Sequence, residues 1–161
     1  MPKLRFRLLG ALALTAAVGL AAAYQPARAE IDPKSITITP FDKLNFPGDP
    51  SRPQVVTVFG DSTKPGLYGI VIKWPPHQNT RPHSHPNDRF VTVLSGTWWI
   101  NTGAKFDPDH MVPIKPGSFV VHHANEIHYD ATKDDPAMIY IVGMGPAPSI
   151  DREDPSTKPK K

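Results

Sequence analysis

Hydrophobic and polar residues alternate along this chain in short stretches, and proline or glycine ends nearly every one. Runs at 35–39, 54–59, 68–74, 90–94, 97–101, 118–121 and 138–142 are rich in Val, Ile, Thr and aromatic residues, which suit a pleated, half-buried surface. Pro47-Gly48, Gly60-Asp61, Pro65-Gly66, Ser95-Gly96 and Pro116-Gly117 punctuate them as turn signals. Past the N-terminal stretch no run keeps a helical period, and 20 prolines spread along the chain leave little room for one. The pattern predicts an all-β fold, a sandwich or barrel, in one domain. The run ending at Gly96 predicts a strand and a tight turn, with residues 97–100 as its hairpin partner. Trp98 and Trp99 must then face opposite sides of their strand.

The two ends read differently. Lys3, Arg5 and Arg7 open the chain with no acidic neighbour, residues 8–23 are apolar, and Ala27-Arg28-Ala29 follows Pro26. A basic start, a short apolar stretch and a small-x-small triplet make a secretory signal peptide over 1–29, expected to be cleaved after Ala29. The apolar stretch falls short of the roughly 20 residues that span a bilayer, so no membrane association is expected after cleavage. Arg5 and Arg7 are not adjacent, so no twin-arginine signal is evident. The expected location is periplasmic or secreted. Residues 30–52 are expected to form an extended N-terminal arm, 53–145 the β domain, and 146–161 (PAPSIDREDPSTKPKK) a disordered tail.

Removing the leader changes the charge argument. The chain holds 18 basic and 15 acidic residues, but residues 1–29 hold four of the basic ones and none of the acidic. The remainder is 14 against 15, a formal −1. The apparent basicity belongs to the leader and offers no support for nucleic-acid binding. With no cysteine anywhere, disulfides, thiolate ligands and a cysteine nucleophile are excluded. The chain has no G-x-S-x-G elbow, no P-loop and no H-E-x-x-H, so serine hydrolysis, P-loop phosphoryl transfer and zincin chemistry lack their signatures.

Candidate chemistry lies in two histidine clusters, RPHSHPND at 81–88 and HHANEIHY at 122–129. An i, i+2 pair on a strand, His83 and His85, puts both imidazoles on one face. A third histidine from a distant strand, His128, can close a metal site, neutral imidazole being the commonest protein metal ligand. Arg89 shares the parity of His83 and His85, while Phe90, Thr92 and Leu94 point the other way. His122 and His123 are adjacent, so at most one of them faces inward. Tyr129 should face away from His128's side. His77 and His110 are expected in loops.

The arrangement resembles the cupin superfamily. His83-Ser84-His85, three residues, position 89, six residues and Gly96 follow the spacing of the first cupin motif, and Pro116-Gly117 through His128 follows the second. The resemblance implies a cupin-type β-barrel, a double-stranded jelly roll of the single-domain (monocupin) kind. It also implies one divalent metal ion on His83, His85 and His128, with Fe(II) or Zn first and Mn, Ni or Cu also admitted. A homodimer is a further implication.

One departure bears on chemistry. The motif's glutamate ligand is replaced by Arg89, which stays protonated and has no lone pair to offer. Three roles remain open for it: a clamp for a substrate carboxylate or enolate, a structural ion pair with Asp88 or Glu126, or a cation that replaces the metal. Asp88 would need a bulge to enter the site, and Glu126 is a candidate general base if its loop folds over it. Two functions follow. The first is an exported Fe(II)- or Zn-dependent enzyme, dioxygenase-like, acting on a small acidic or enolisable substrate with Arg89 and Glu126 as its catalytic residues. The alternative is a non-catalytic periplasmic cupin that binds a small molecule or a metal.

Overall fold

A computed structural model describes residues 31–159, so the signal peptide and its cleavage site lie outside the described residues. The chain divides into two compact units, one reaching Thr37 and the other starting at Ile38. In the first, the described residues hold a turn at 33–35, closed by Ser35 N–H donating to Asp32 O at 2.9 Å. The strand predicted at 35–39 is absent. Asp32 turns the chain with its own side chain, accepting from Lys34 N–H at 2.9 Å, and Ile36 and Ile38 are exposed.

The second unit is built from ten strands: β1 (Gln54–Phe59), β2 (Gly66–Trp74), β3 (His83–Ser84), β4 (Arg89–Gly96), β5 (Trp98–Thr102), β6 (Val112–Ile114), β7 (Phe119–His122), β8 (His128–Ala131), β9 (Ala137–Gly145) and β10 (Ile150–Asp151). They form two antiparallel five-stranded sheets, ordered β1-β2-β9-β4-β7 and β10-β3-β8-β5-β6. The fold is all-β, as the alternation predicts, and its two sheets make the jelly roll that the resemblance implies.

Parity builds the core. On β4, Val91 and Val93 are buried while Phe90 and Leu94 are exposed; on β9, Ala137, Ile139 and Ile141 are buried. With Tyr68, Ile70, Trp74 and Trp98 these fill the main core cluster. Trp98 and Trp99 split as expected. Trp98 joins that cluster, and Trp99 packs against a second one of Met111, Tyr129 and Ala131.

Residues 97–100 are not the hairpin partner of β4. β4 pairs with β9 and β7, whereas β5 pairs with β6 and β8 in the other sheet. Gly96 turns the corner between sheets at φ +75°, and Thr97 N–H reaches Pro136 O at 3.3 Å. A tight turn signal here marks a change of sheet. The strands β6 and β10 escape the sequence pattern, having only three and two residues. β6 even carries Pro113, tolerated because β6 is the edge of its sheet.

The tail reading also needs correction over residues 146–159. β10 pairs with β3, Ile150 opposite Ser84 and Asp151 opposite His83. The Arg81 guanidinium clasps the Glu153 carboxylate through Nε at 3.0 Å and through Nη2, and Nη2 also donates to Thr157 O at 2.7 Å. Arg81 lies over the Phe106 ring, 3.8 Å from its centroid. Composition suggested disorder; an arginine partner for one buried acidic side chain and a short ladder on β3 hold the segment as a strap.

Candidate metal centre

The three histidines of the two clusters converge. β3 supplies His83, the residue just beyond it supplies His85, and β8 supplies His128, which stands opposite His83 in the ladder. Each offers a ligand atom, and these atoms lie within 4.8 Å of one another; all three residues are buried. Ring centroids are 5.0, 4.5 and 5.4 Å apart.

The backbone sets the tautomer of each ring. His83 Nδ1 contacts Arg81 O at 2.8 Å, His85 Nδ1 contacts Pro148 O at 2.9 Å, and His128 Nδ1 contacts Glu126 O at 3.2 Å. A carbonyl only accepts, so every Nδ1 carries the hydrogen and every Nε2 keeps its lone pair. Such outer contacts are what orient metal-binding imidazoles. The Nε2 of His128 is buried with no partner, an orphan that a cation would satisfy. The residues present fit a metal ion held by three neutral nitrogens.

Electrostatics agree with neutral rings. Burial, aided by the Arg89 charge, lowers His85 to a pKa of about 3. Burial, and then the neighbouring His83, lowers His128 to about 4.

Arg89 opens β4 on the inward face, opposite His122 of β7 and Gly143 of β9. Its Nη1 donates to His85 Nε2. It makes no ion pair with Asp88 or Glu126, so the structural-pair reading is set aside. Asp88 is exposed and accepts from Ala124 N–H at 2.7 Å, which pins the loop before β8 and leaves its carboxylate outside the site. Glu126 is exposed; its backbone carbonyl orients His128, and its carboxylate makes no hydrogen bond among the described residues. It stands at the rim of a cavity of about 140 Å³ whose walls include Ile100, Val120, Ile127, His122 and His128.

Of the adjacent pair, His122 points inward and His123 is exposed. The His122 ring stacks on His128, centroids 3.8 Å apart, and burial with the nearby His128 lowers its pKa to about 2. Behind it lies Asp130, whose Oδ1 is 3.9 Å from His122 Nε2 and whose carboxyl burial pushes upward in pKa. Sequence reasoning passed over Asp130. Its signal was parity, since it follows His128 by two residues on a strand and so shares the inward face. Tyr129 faces the other way and is fully buried, its hydroxyl accepting from Asp107 N–H at 3.1 Å. His77 and His110 are exposed, each beside an aspartate, at 3.8 Å from Asp134 and 2.8 Å from Asp107.

The strap touches the centre twice: Pro148 O holds His85, and β10 pairs with the strand that carries His83. Arg81, whose carbonyl holds His83, is the residue that clasps Glu153. Glu153→Ala is therefore expected to weaken metal binding about tenfold, as loss of an orienting contact does. Metal titration beside a melting curve of the metal-free protein checks this. A lowered melting point with unchanged affinity would reduce the clasp to a purely structural role.

No protein-family model matches the chain, and no curated protein sequence matches it. Solved structures do. The polyketide cyclase RemF from Streptomyces resistomycificus aligns at TM-score 0.60 and 14% identity, over 76% of this chain and 89% of that one. A conserved protein with a double-stranded β-helix domain from Klebsiella pneumoniae aligns at 0.56 and 20%, over 73% and 97%. A cupin-like protein from Thermotoga maritima aligns at 0.51 and 17%, over 65% and 80%. At these identities the likeness shows the fold alone, a double-stranded β-helix.

Proposed function

We propose that this chain is an exported metal-binding cupin protein. His83, His85 and His128 hold one divalent ion through Nε2, and Arg89 receives a small acidic or enolisable substrate beside it. The observation that carries the reading is the set of three buried imidazoles whose Nδ1 atoms are committed to carbonyls, leaving convergent Nε2 lone pairs. A neutral three-nitrogen set suits Fe(II) or Zn, with Mn, Ni and Cu also accommodated. The ion would supply Lewis-acid activation and, if it is iron, the redox chemistry of a dioxygenase.

The chain's own residues do the rest. Backbone carbonyls fix the imidazoles, Arg89 offers a planar fork for a carboxylate, and Ile100, Val120 and Ile127 keep water from one wall. Glu126, at the rim, is the group assigned to exchange a proton with substrate. RemF, of the same fold, is a polyketide cyclase, so the fold admits catalysis. The contact of Arg89 with His85 Nε2 favours a second reading, a periplasmic binding module without turnover. Export rests on the leader at 1–29. Homodimer formation is supported by the apolar outer face that Phe90, Phe119, Val121 and Met144 expose, and sedimentation of the purified protein tests it.

The deciding experiment is metal content of residues 30–161, made without a histidine tag, beside the His83→Ala/His128→Ala double variant. About one equivalent in the parent and none in the variant is the expected result. An empty parent after incubation with Fe(II), Zn or Mn would leave the binding-module reading.

A further inference from the structure

Arg89 and a metal ion compete for the same lone pair. His85 Nδ1 carries its hydrogen toward Pro148 O, so its ring has one lone pair, on Nε2, and Arg89 Nη1 already donates to it. That lone pair cannot serve both. The guanidinium is itself poorly satisfied: its Nε is buried with no partner, and among the described residues no carboxylate lies within 4.0 Å of it. Asp130 acts on it only at longer range. A half-buried guanidinium with spare donors and no counter-ion calls for an anion that can accept two parallel N–H bonds.

We propose that the site binds a small carboxylate and a divalent metal synergistically, the carboxylate drawing Arg89 off His85 and so releasing the third ligand. This rests on the three-histidine reading and adds a regulation to it. Without the anion, Arg89 holds His85 and metal binds weakly; with the anion, all three imidazoles are free. Linkage makes the effect reciprocal, so metal must tighten the carboxylate by the same factor. An Arg in place of an acidic ligand thus makes metal loading conditional on a substrate-like anion.

The test uses the full chain and Zn(II), with affinity read by competition against a chromophoric chelator at equal ionic strength and corrected free zinc. Replacing chloride with acetate is expected to tighten zinc binding about tenfold, the scale of one charge-assisted hydrogen bond. Acetamide, the uncharged isostere, should leave it unchanged. Arg89→Gln should bind zinc more tightly than the parent in chloride and lose the acetate response. The reciprocal measurement needs no variant: acetate binding to the parent should strengthen by the same factor when zinc is present. Equal zinc affinity in chloride and acetate, or a response that survives in Arg89→Gln, overturns the synergy alone. Failure to bind zinc in either buffer overturns the three-histidine reading and the synergy with it.

Discussion

Metal-free protein is expected to lose most of its stability between pH 6.5 and pH 4.5. His85, His122 and His128 have folded-state pKa values of about 3, 2 and 4, set first by burial, against about 6.5 in an unfolded chain. Above pH 6.5 both states carry neutral rings and the shifts contribute nothing to the pH dependence. Below it the unfolded chain takes up protons that the barrel refuses, so unfolding becomes progressively easier. The loss for each ring continues until pH reaches its folded value. Each ring costs about 1.4 kcal/mol per pH unit, and by pH 4.5 the three together remove on the order of 8 kcal/mol. That is comparable to the whole stability of many domains. Asp130 works in the opposite sense, because its raised pKa favours proton uptake by the folded state, and it offsets part of the loss. Urea midpoints measured in the presence of a chelator from pH 7 to pH 4.5 give the slope directly. A flat profile would show that the imidazoles are hydrated and that the site stands open to solvent.

The second large effect belongs to Gly96. A Cβ added there would lie 1.8 Å from Pro136 O, 2.8 Å from Pro136 C and 3.0 Å from Ala137 Cα. All three are backbone atoms of the segment leading into β9, so no side-chain rotation relieves the contact. The residue also sits at φ +75°, where an L side chain is strained. Gly96→Ala therefore has to move the junction between the sheets, and the expected loss is about 3 kcal/mol or more. Equilibrium denaturation checks the figure. Metal binding should survive in whatever fraction stays folded, because Gly96 ends β4 and Arg89 begins it.

Gly96 also shows what the sequence makes legible and what it hides. The Ser95-Gly96 pair flagged a turn, and the turn exists, but the hairpin inferred from it does not. Local pattern marks where a chain bends; which sheet it bends into depends on β9, some forty residues away. The same division holds at the site. His83, His85 and His128 were readable because parity and spacing act locally. Arg89 was readable as inward-facing for the same reason, yet its contact with His85 depends on where two separate strands meet. The strap was illegible because the sequence from Pro146 on looks polar and broken, while the order of residues 146–159 comes from Arg81 and β3, more than sixty residues upstream. Asp130 was hidden by Tyr129, the larger neighbour that packs the other face.

The ribosome delivers this chain from the N-terminus, so every ligand-bearing residue emerges before the segment that orients two of them. Until Pro148 is made, the His85 ring has no carbonyl to fix its tautomer, and until Asp151 is made, β3 lacks its outer neighbour. A growing chain thus holds His83 and His128 beside their own upstream carbonyls, from Arg81 and Glu126, while the His85 ring is still unaimed. The full set of three oriented rings arrives only with the strap. A protease that cut before Pro146 would leave all the histidines in place and take away both the carbonyl that holds His85 and the outer neighbour of β3.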